Sequence, residues 1–254
     1  MTDMSYTEKP ETEELYREME RLGQELKVPV PSSFLKVEVF KDGHNIYAHK
    51  QRSHSWNRNA YNWFFSQFGS ASALGTTFEA GALTIKETSG TIRNDNSRGI
   101  GIGTRRTTAR CIEDVNDTTD NFGYRVTAGT DDFSILVGIS NTPEDFNHYS
   151  LQSQATHGSG SGQLDHAQTE PPVKSWDGTT RMFAVDWVRF FNNNSAGDID
   201  INEVALVGGI YAPFYTSYDY GRMVMVCRDV LASPVTLPDT GQLKVTYTIG
   251  LVFP

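Results

Sequence analysis

The residues whose types and spacing come closest to a metal-binding motif are the side chains of one short polar run. They are Asp198, Asp200, Asn202 and Glu203. An EF-hand calcium loop needs glycine at its sixth position and glutamate at its twelfth, but these positions hold Glu203 and Gly209. Because Ile199 and Ile201 separate the acids, the run has the period of a β-strand and its carboxylates share one face. We therefore expect a solvated strand face here and no metal site.

Other signatures of catalysis are weak. The alternating glycines at 99, 101 and 103 lack the G-x-G-x-x-G spacing of a dinucleotide-binding loop, and a glycine-rich strand is the better interpretation. The six histidines form no H-E-x-x-H pattern, and no G-x-S-x-G motif occurs. Cys111 and Cys227 lie far apart and are expected to be buried free thiols. A glycosidase's two carboxylates could lie anywhere among the 31 acids. Even so, we expect no enzymatic activity, no catalytic residue and no cofactor.

Composition excludes some classes of partner. The chain has 254 residues and a formal net charge of −9, so nucleic-acid binding through phosphate neutralisation is not expected. No apolar run approaches the ~20 residues that span a bilayer, and the polar, acidic N-terminus does not resemble a secretory signal. We expect a chain that is made in the cytoplasm and binds neither nucleic acid nor membrane.

The elements that would position any site are mostly strands. The last third contains β-branched and aromatic runs at residues 184–191, 198–207, 222–230 and 242–252. Turn-like compositions at 192–197, 213–221 and 233–241 separate them. Further strands are expected at 82–87, 99–104, 108–115, 124–127 and 133–139, and a flexible hairpin tip at 156–162 between 149–154 and 163–167. This pattern predicts a mainly β protein with an antiparallel β-sandwich or jelly-roll-like body.

The N-terminal region has a different pattern. Residues 1–11 are expected to be a flexible arm, and Thr12 to cap a short helix. The helix carries a heptad-like apolar stripe formed by Leu15, Met19, Leu22 and Leu26. The stripe is narrow and close to a chain end, so we predict that it makes an intermolecular contact. We divide the chain into an arm and docking helix at 1–31 and a β-sandwich body at 32–254.

Two further segments lie near the start of the body. Strands at 34–40 and 45–48 flank Asp42-Gly43, a strong type I′ hairpin signal. Residues 53–68 have helical spacing with an aromatic face, which predicts an internal helix buried within the subunit. The aromatic residues expected to be buried are Trp56, Trp63, Phe64 and Phe68. Nearby Lys50, Arg52 and Arg58 form a basic patch or, more simply, occupy exposed positions.

Three segments together resemble a known group of proteins. They are RSHSWNRNAYNWFFSQF, SILVGISNTPEDFNHYSLQSQATHGSGSGQL, and FFNNNSAGDIDINEVALVG followed by MVMVCRDVLASPVTLPDTGQLKVTYTI. The chain is similar, over about residues 52–254, to structural proteins encoded by tailed viruses of bacteria and archaea. The resemblance implies a component of the particle in the head, neck or tail, and it implies no catalytic residue.

These observations support two functions of different classes. The first is a non-enzymatic virion structural protein that assembles with symmetric copies through its N-terminal region and binds other virion proteins, such as capsid, portal, neck or tail proteins. The alternative is a β-sandwich adhesion module that binds a host-surface glycan or receptor. A tyrosine-rich segment at 211–221 supplies aromatic side chains suited to either contact, and Tyr215 and Tyr218 are candidate interface residues.

Overall fold

The computed structural model describes residues 5–6, 10–65, 77–79, 82–93, 124–213 and 218–254. The helices within these ranges are α1 (Pro10–Leu26) and α2 (Arg58–Phe65). The strands are β1 (Ser5–Tyr6), β2 (Val30–Lys41), β3 (His44–Arg52), β4 (Ile85–Lys86), β5 (Ile92–Arg93), β6 (Ser134–Gly138), β7 (Asp165–His166), β8 (Val173–Asp177), β9 (Met182–Asn192), β10 (Ile199–Pro213), β11 (Tyr218–Leu237) and β12 (Gln242–Val252). Neither helix is long and apolar enough to cross a membrane.

Two antiparallel sheets pack face to face in a sandwich-like arrangement. The larger sheet has the order β1-β3-β2-β12-β9-β7, with β8 beside β9, and only its edge strand β1 runs parallel to its neighbour. The smaller sheet has the order β11-β10-β6. Their facing side chains form the main core, which includes Leu35, Tyr247 and Trp187 from the larger sheet and Leu206 and Leu237 from the smaller one. The mainly β, antiparallel fold class predicted from the sequence is confirmed.

Local sequence signals explain two parts of this arrangement. Asp42 and Gly43 both have positive φ, of 51° and 77°, as a two-residue type I′ turn requires, and they join β2 to β3. Along β12 the buried residues Leu243, Val245 and Tyr247 alternate with residues on the outer face. The hairpin and the four C-terminal strands are therefore confirmed.

Several boundaries expected from the sequence are wrong. The helix α1 begins at Pro10, not after a cap at Thr12, and proline suits the first helical turn because its missing N–H needs no partner there. Within the supposed flexible arm, the backbone of Ser5–Tyr6 pairs with β3. The expected turn segments at 213–221 and 233–241 are partly strand, because β10 and β11 form one long hairpin. The backbone at 124–127 is irregular.

The segment around 156–162 is not the hairpin tip that was expected. His157 forms a parallel bridge with Leu164, and the His157 backbone N–H donates to Asp131 Oδ2 at 2.8 Å. The Gln163 side chain accepts from Gly160 N at 2.9 Å, so a side chain organises the glycines. The expected strands at 99–104 and 108–115 lie outside the described residues, as does Cys111, whereas Cys227 is a buried free thiol as predicted.

The internal helix α2 docks by its amides more than by its aromatic face. Asn59 donates to the carbonyls of Lys86 and Met225, at 2.9 and 3.1 Å, and Asn62 donates to Thr84 O at 2.7 Å. Trp63 is half-buried against Ile85 and Val224. The expected burial of the aromatic face is wrong for Phe64, which is 58% exposed, while Trp56 is half-buried and Phe68 lies outside the described residues.

Candidate functional site

A buried arginine holds α1 on the outer face of the larger sheet. Arg52, at the end of β3, donates from Nε and Nη2 to the two carboxylate oxygens of Glu13, both at 3.0 Å. Its Nη1 donates to Glu20 at 3.0 Å and to Ser32 Oγ at 3.2 Å. The guanidinium also lies 4.4 Å from the ring centroid of Tyr16. Arg52 is therefore not the exposed position that the sequence suggested, and it positions the helix.

A glycine allows the close approach of this helix. Gly23 is buried, and a Cβ there would lie 2.2 Å from Val30 Cγ2 and 2.9 Å from Val28 O. No side chain fits this space without movement of the backbone. Glycine lowers the intrinsic helix propensity of α1, but at this position it lets α1 pack against β2.

Docking through this face leaves the apolar stripe of α1 in solvent. The exposed fractions are 71% for Leu15, 41% for Met19, 40% for Leu22 and 71% for Leu26. Beside the stripe, Arg21 pairs with both Glu18 and Glu25, so the rim of the stripe carries both signs of charge. The stripe is a continuous apolar surface on a helix that the rest of the fold holds in place.

A second apolar patch lies at the same end of the larger sheet. Trp176 and Phe253 form an edge-to-face pair with ring centroids 5.9 Å apart, and Trp176 lies opposite Phe183 in the β8–β9 ladder. All three are exposed. The unbroken β9–β12 register places Phe183 on the same sheet face as buried Trp187. This face is opposite the one that carries α1. Val30 contacts Gly23 of α1, and it lies an odd number of residues from core residue Leu35 along β2, so the two side chains point to opposite faces of the sheet.

Of the two candidate tyrosines, the structure describes only the backbone of Tyr218. The backbone of Tyr218 begins β11 and pairs with Pro213, so it belongs to the β10–β11 hairpin and not to a loop. Tyr215 lies outside the described residues.

A buried ion pair fixes the long loop at residues 140–154 against the smaller sheet. Arg228 Nε donates to Glu203 Oε2 at 2.6 Å, and both side chains are almost fully buried. Glu203 accepts from the backbone N–H groups of Gln152 and Ser153, and Arg228 donates to the carbonyl of Thr142 at 2.9 Å. Breaking such a pair leaves one buried charge uncompensated, so the loop is strongly held.

This finding corrects the expectation for the acidic run. Asp198 and Asp200 are exposed and accept from Asp239 N and Thr236 Oγ1, as a solvated strand face predicts. Glu203 is instead fully buried. A register shift between Ile201 and Glu203 places it on the sheet face opposite core residue Val204, where the loop at 140–154 covers it.

The same loop brings Glu144 to a polar cluster, which we define as His54, Glu144 and Asp229. Donor atoms of the three side chains lie within 4.8 Å of one another, and His54 Nδ1 is 3.6 Å from Glu144 Oε2. Asp229 is buried between the two sheets, where its Oδ2 accepts from Ser53 Oγ at 2.8 Å and from Tyr247 Oη. Its Oδ1 is buried and has no hydrogen-bond partner among the described residues.

Burial dominates the electrostatics of this cluster. Loss of water raises the pKa of Asp229 to about 6, against the effect of the two hydroxyl donors. Burial also raises the pKa of the Tyr247 hydroxyl well above its usual value, so Tyr247 stays protonated and donates a hydrogen bond to Asp229. A buried carboxyl group, one oxygen of which has no donor among the described residues, therefore lies beside a histidine and a second carboxyl group.

Sequence reasoning missed this cluster because its members come from three separate segments. His54 follows β3, Glu144 lies in the loop after β6, and Asp229 lies within β11. No local spacing links them, and only the pairing of the sheets brings them together. Comparisons of this chain with protein-family models, with curated proteins and with solved structures found no match in any of the three.

Proposed function

We propose that this chain is a non-enzymatic structural subunit of a tailed-virus particle, an accessory protein of the head, neck or tail that assembles with further copies of itself through α1. The observation that carries the proposal is the exposed stripe of Leu15, Met19, Leu22 and Leu26 on a firmly docked helix. The placement in a virus particle is supported by the resemblance of the three sequence segments described above.

The docked helix is suited to present a binding ridge. Arg52 and Gly23 hold α1 at a defined position, so little conformational entropy is lost when a partner covers the stripe. A free helix with the same stripe would have to be ordered on binding. Exposed side chains of this size cost solubility in a monomer, and such patches commonly mark interaction sites.

The second copy's apolar patch at Trp176, Phe183 and Phe253 is the partner surface that we propose for the stripe. The stripe and the patch lie on opposite faces of one end of the same sheet. Two different complementary surfaces make a heterologous contact, which builds rings or extended arrays by repetition. The mixed charges around the stripe present no single-sign field that would repel another copy.

The size of the contact also favours a repeated assembly. From residue 15 to residue 26 the stripe is roughly 16 Å long at 1.5 Å per residue. A ridge of this length buries less than the roughly 800 Å² per partner of a stable pairwise interface. A weak contact of this kind becomes effective when many copies engage together on a symmetric particle.

The test is association of the purified chain over a range of concentrations, measured by native mass spectrometry and sedimentation velocity. We expect the wild-type chain to form oligomers as concentration rises. The double variant Leu15→Ser/Leu26→Ser should stay monomeric while keeping the wild-type circular dichroism spectrum. A matched control is Ile46→Ser, which alters an exposed apolar side chain outside both surfaces.

The partner surface is tested separately with Trp176→Ser/Phe253→Ser. Loss of association in this variant supports the heterologous contact, whereas retention would indicate that stripes pair with each other. Association that survives the stripe substitutions would contradict the assembly role. Specific binding of a monomeric chain on a glycan array would instead favour the adhesion module.

A further inference from the structure

We infer that His54, Glu144 and Asp229 form a binding site for a divalent transition-metal ion, of which Zn²⁺ is the best fit, and that the ion fastens the loop at 140–154 to the sandwich. This inference is independent of the proposed assembly role, because none of the three residues lies in the stripe or in the second apolar patch.

The geometry of the donors fits such an ion. A tetrahedral centre with ligand bonds of about 2.0–2.1 Å places its ligands roughly 3.4 Å apart. The 3.6 Å separation between His54 Nδ1 and Glu144 Oε2 is close to that value. Since all three donors lie within 4.8 Å of one another, no pair needs to close by more than about 1.4 Å. Ser55 Oγ, 3.4 Å from His54 Nδ1, is one contact that a bound ion would replace.

Each of the two carboxyl groups has one oxygen held by hydrogen bonds and a second oxygen that accepts no hydrogen bond from the described residues. Glu144 Oε1 accepts from Val230 N at 2.8 Å, which leaves Oε2 beside His54. Asp229 Oδ2 accepts from Ser53 and Tyr247, which leaves the buried Oδ1 without a donor among the described residues. Hydrogen bonds to the distal oxygen are how proteins orient carboxylate ligands.

The unsatisfied Asp229 oxygen is the second, independent observation for a ligand. A buried acceptor without a donor is costly, and a native structure normally provides a partner for it. A cation at this position would supply the missing partner and would also compensate two carboxylates beside a single histidine. His54 and Glu144 are partly exposed, so an ion has a path from solvent into the cluster.

The donor set selects the type of ion. One imidazole nitrogen and two carboxylate oxygens suit Zn²⁺, which commonly takes nitrogen and oxygen ligands with water in a remaining position. Ca²⁺ prefers six to eight oxygens and Mg²⁺ an octahedral oxygen shell, so both should bind much more weakly. Because the three ligands come from separate segments, the bound ion would act as a cross-link.

The experiment is calorimetric titration of the chelator-treated full chain with ZnCl₂, repeated with CaCl₂ and MgCl₂. We expect one Zn²⁺ per chain with a dissociation constant in the micromolar range or below. The variants His54→Gln and Glu144→Gln should each weaken Zn²⁺ binding at least 10-fold. The matched control is His157→Gln, because His157 also lies near a carboxylate, Asp165, at 3.7 Å but belongs to no group of three such ligands in the part of the chain that the structure describes.

A second measurement does not depend on the buried Asp229. Protection of residues 140–154 from hydrogen exchange should rise on addition of Zn²⁺ in the wild type and in His157→Gln, but not in Glu144→Gln. Absence of saturable 1:1 binding by the wild type overturns the inference. The inference is also overturned if the Zn²⁺ affinity of either His54→Gln or Glu144→Gln differs from that of the wild type by less than 10-fold, since adventitious surface binding then explains the titration.

Discussion

Replacing Arg52 by methionine should release α1 from the larger sheet while the sandwich stays folded. Methionine keeps an unbranched apolar stem, but the change removes the donors to Glu13, Glu20 and Ser32 and the guanidinium over the Tyr16 ring. Removing one partner of a fully buried ion pair costs about 3–5 kcal/mol. Glu13 and Glu20 remain 17% and 26% exposed, so water reaches them in part. We therefore expect a loss of about 2–4 kcal/mol in the free energy of docking.

Hydrogen exchange measured by mass spectrometry tests this magnitude. A loss of 2–4 kcal/mol corresponds to roughly 30- to 1000-fold faster exchange for amides of α1 that exchange through undocking. The β10–β11 hairpin should keep wild-type protection. The matched control is Arg17→Met, because Arg17 also pairs with Glu13, at 3.4 Å, but is 75% exposed and should contribute less than about 0.5 kcal/mol. Exchange of α1 that is equal in the two variants would refute the buried-arginine explanation of docking.

Two more predictions concern packing and pH. Gly23→Ala should raise the intrinsic helix propensity by about 1 kcal/mol and yet speed hydrogen exchange of α1, because the new Cβ would collide with Val30. The control is Gly197→Ala, whose Cβ meets no atom within 4 Å. Unchanged exchange of α1 in Gly23→Ala would contradict the close approach of the helix to β2. Burial lowers the pKa of His166 from 6.5 to about 4, so the unfolded chain binds more protons in this window and stability should fall by about 3 kcal/mol as pH drops from 6.5 to 4. His166→Gln should flatten this part of a urea-denaturation profile, and an unaltered pH dependence in that variant would show that other groups cause the loss.

Much of the fold could be predicted because its signals are local. The hairpin of β2 and β3 follows from alternating residues on either side of Asp42-Gly43, because a type I′ turn at these two residues favours antiparallel pairing of the flanking strands. The C-terminal strands follow from period-two burial, which is a property of neighbouring residues. Helix α1 follows from its own periodicity, although its first residue does not.

The orientation of α1 could not be predicted from the same information. Its apolar stripe gives the stronger sequence signal, but the helix docks through Glu13, Tyr16, Glu20 and Gly23. The reason is that Arg52, far along the chain, supplies a buried charge that Glu13 and Glu20 compensate. A pattern within one helix contains no information about a partner charge on a distant strand.

The division between sequence and tertiary structure is clearest for the candidate sites. The sequence by itself determined the mainly β class, the hairpin and an apolar stripe near the N-terminus. Only the tertiary structure decided that the stripe faces solvent, that Glu203 is buried with Arg228, and that His54, Glu144 and Asp229 meet. Secondary structure depends on the period of nearby residues, whereas burial and pairing of charges depend on segments that pack together only after the two sheets have closed over the core.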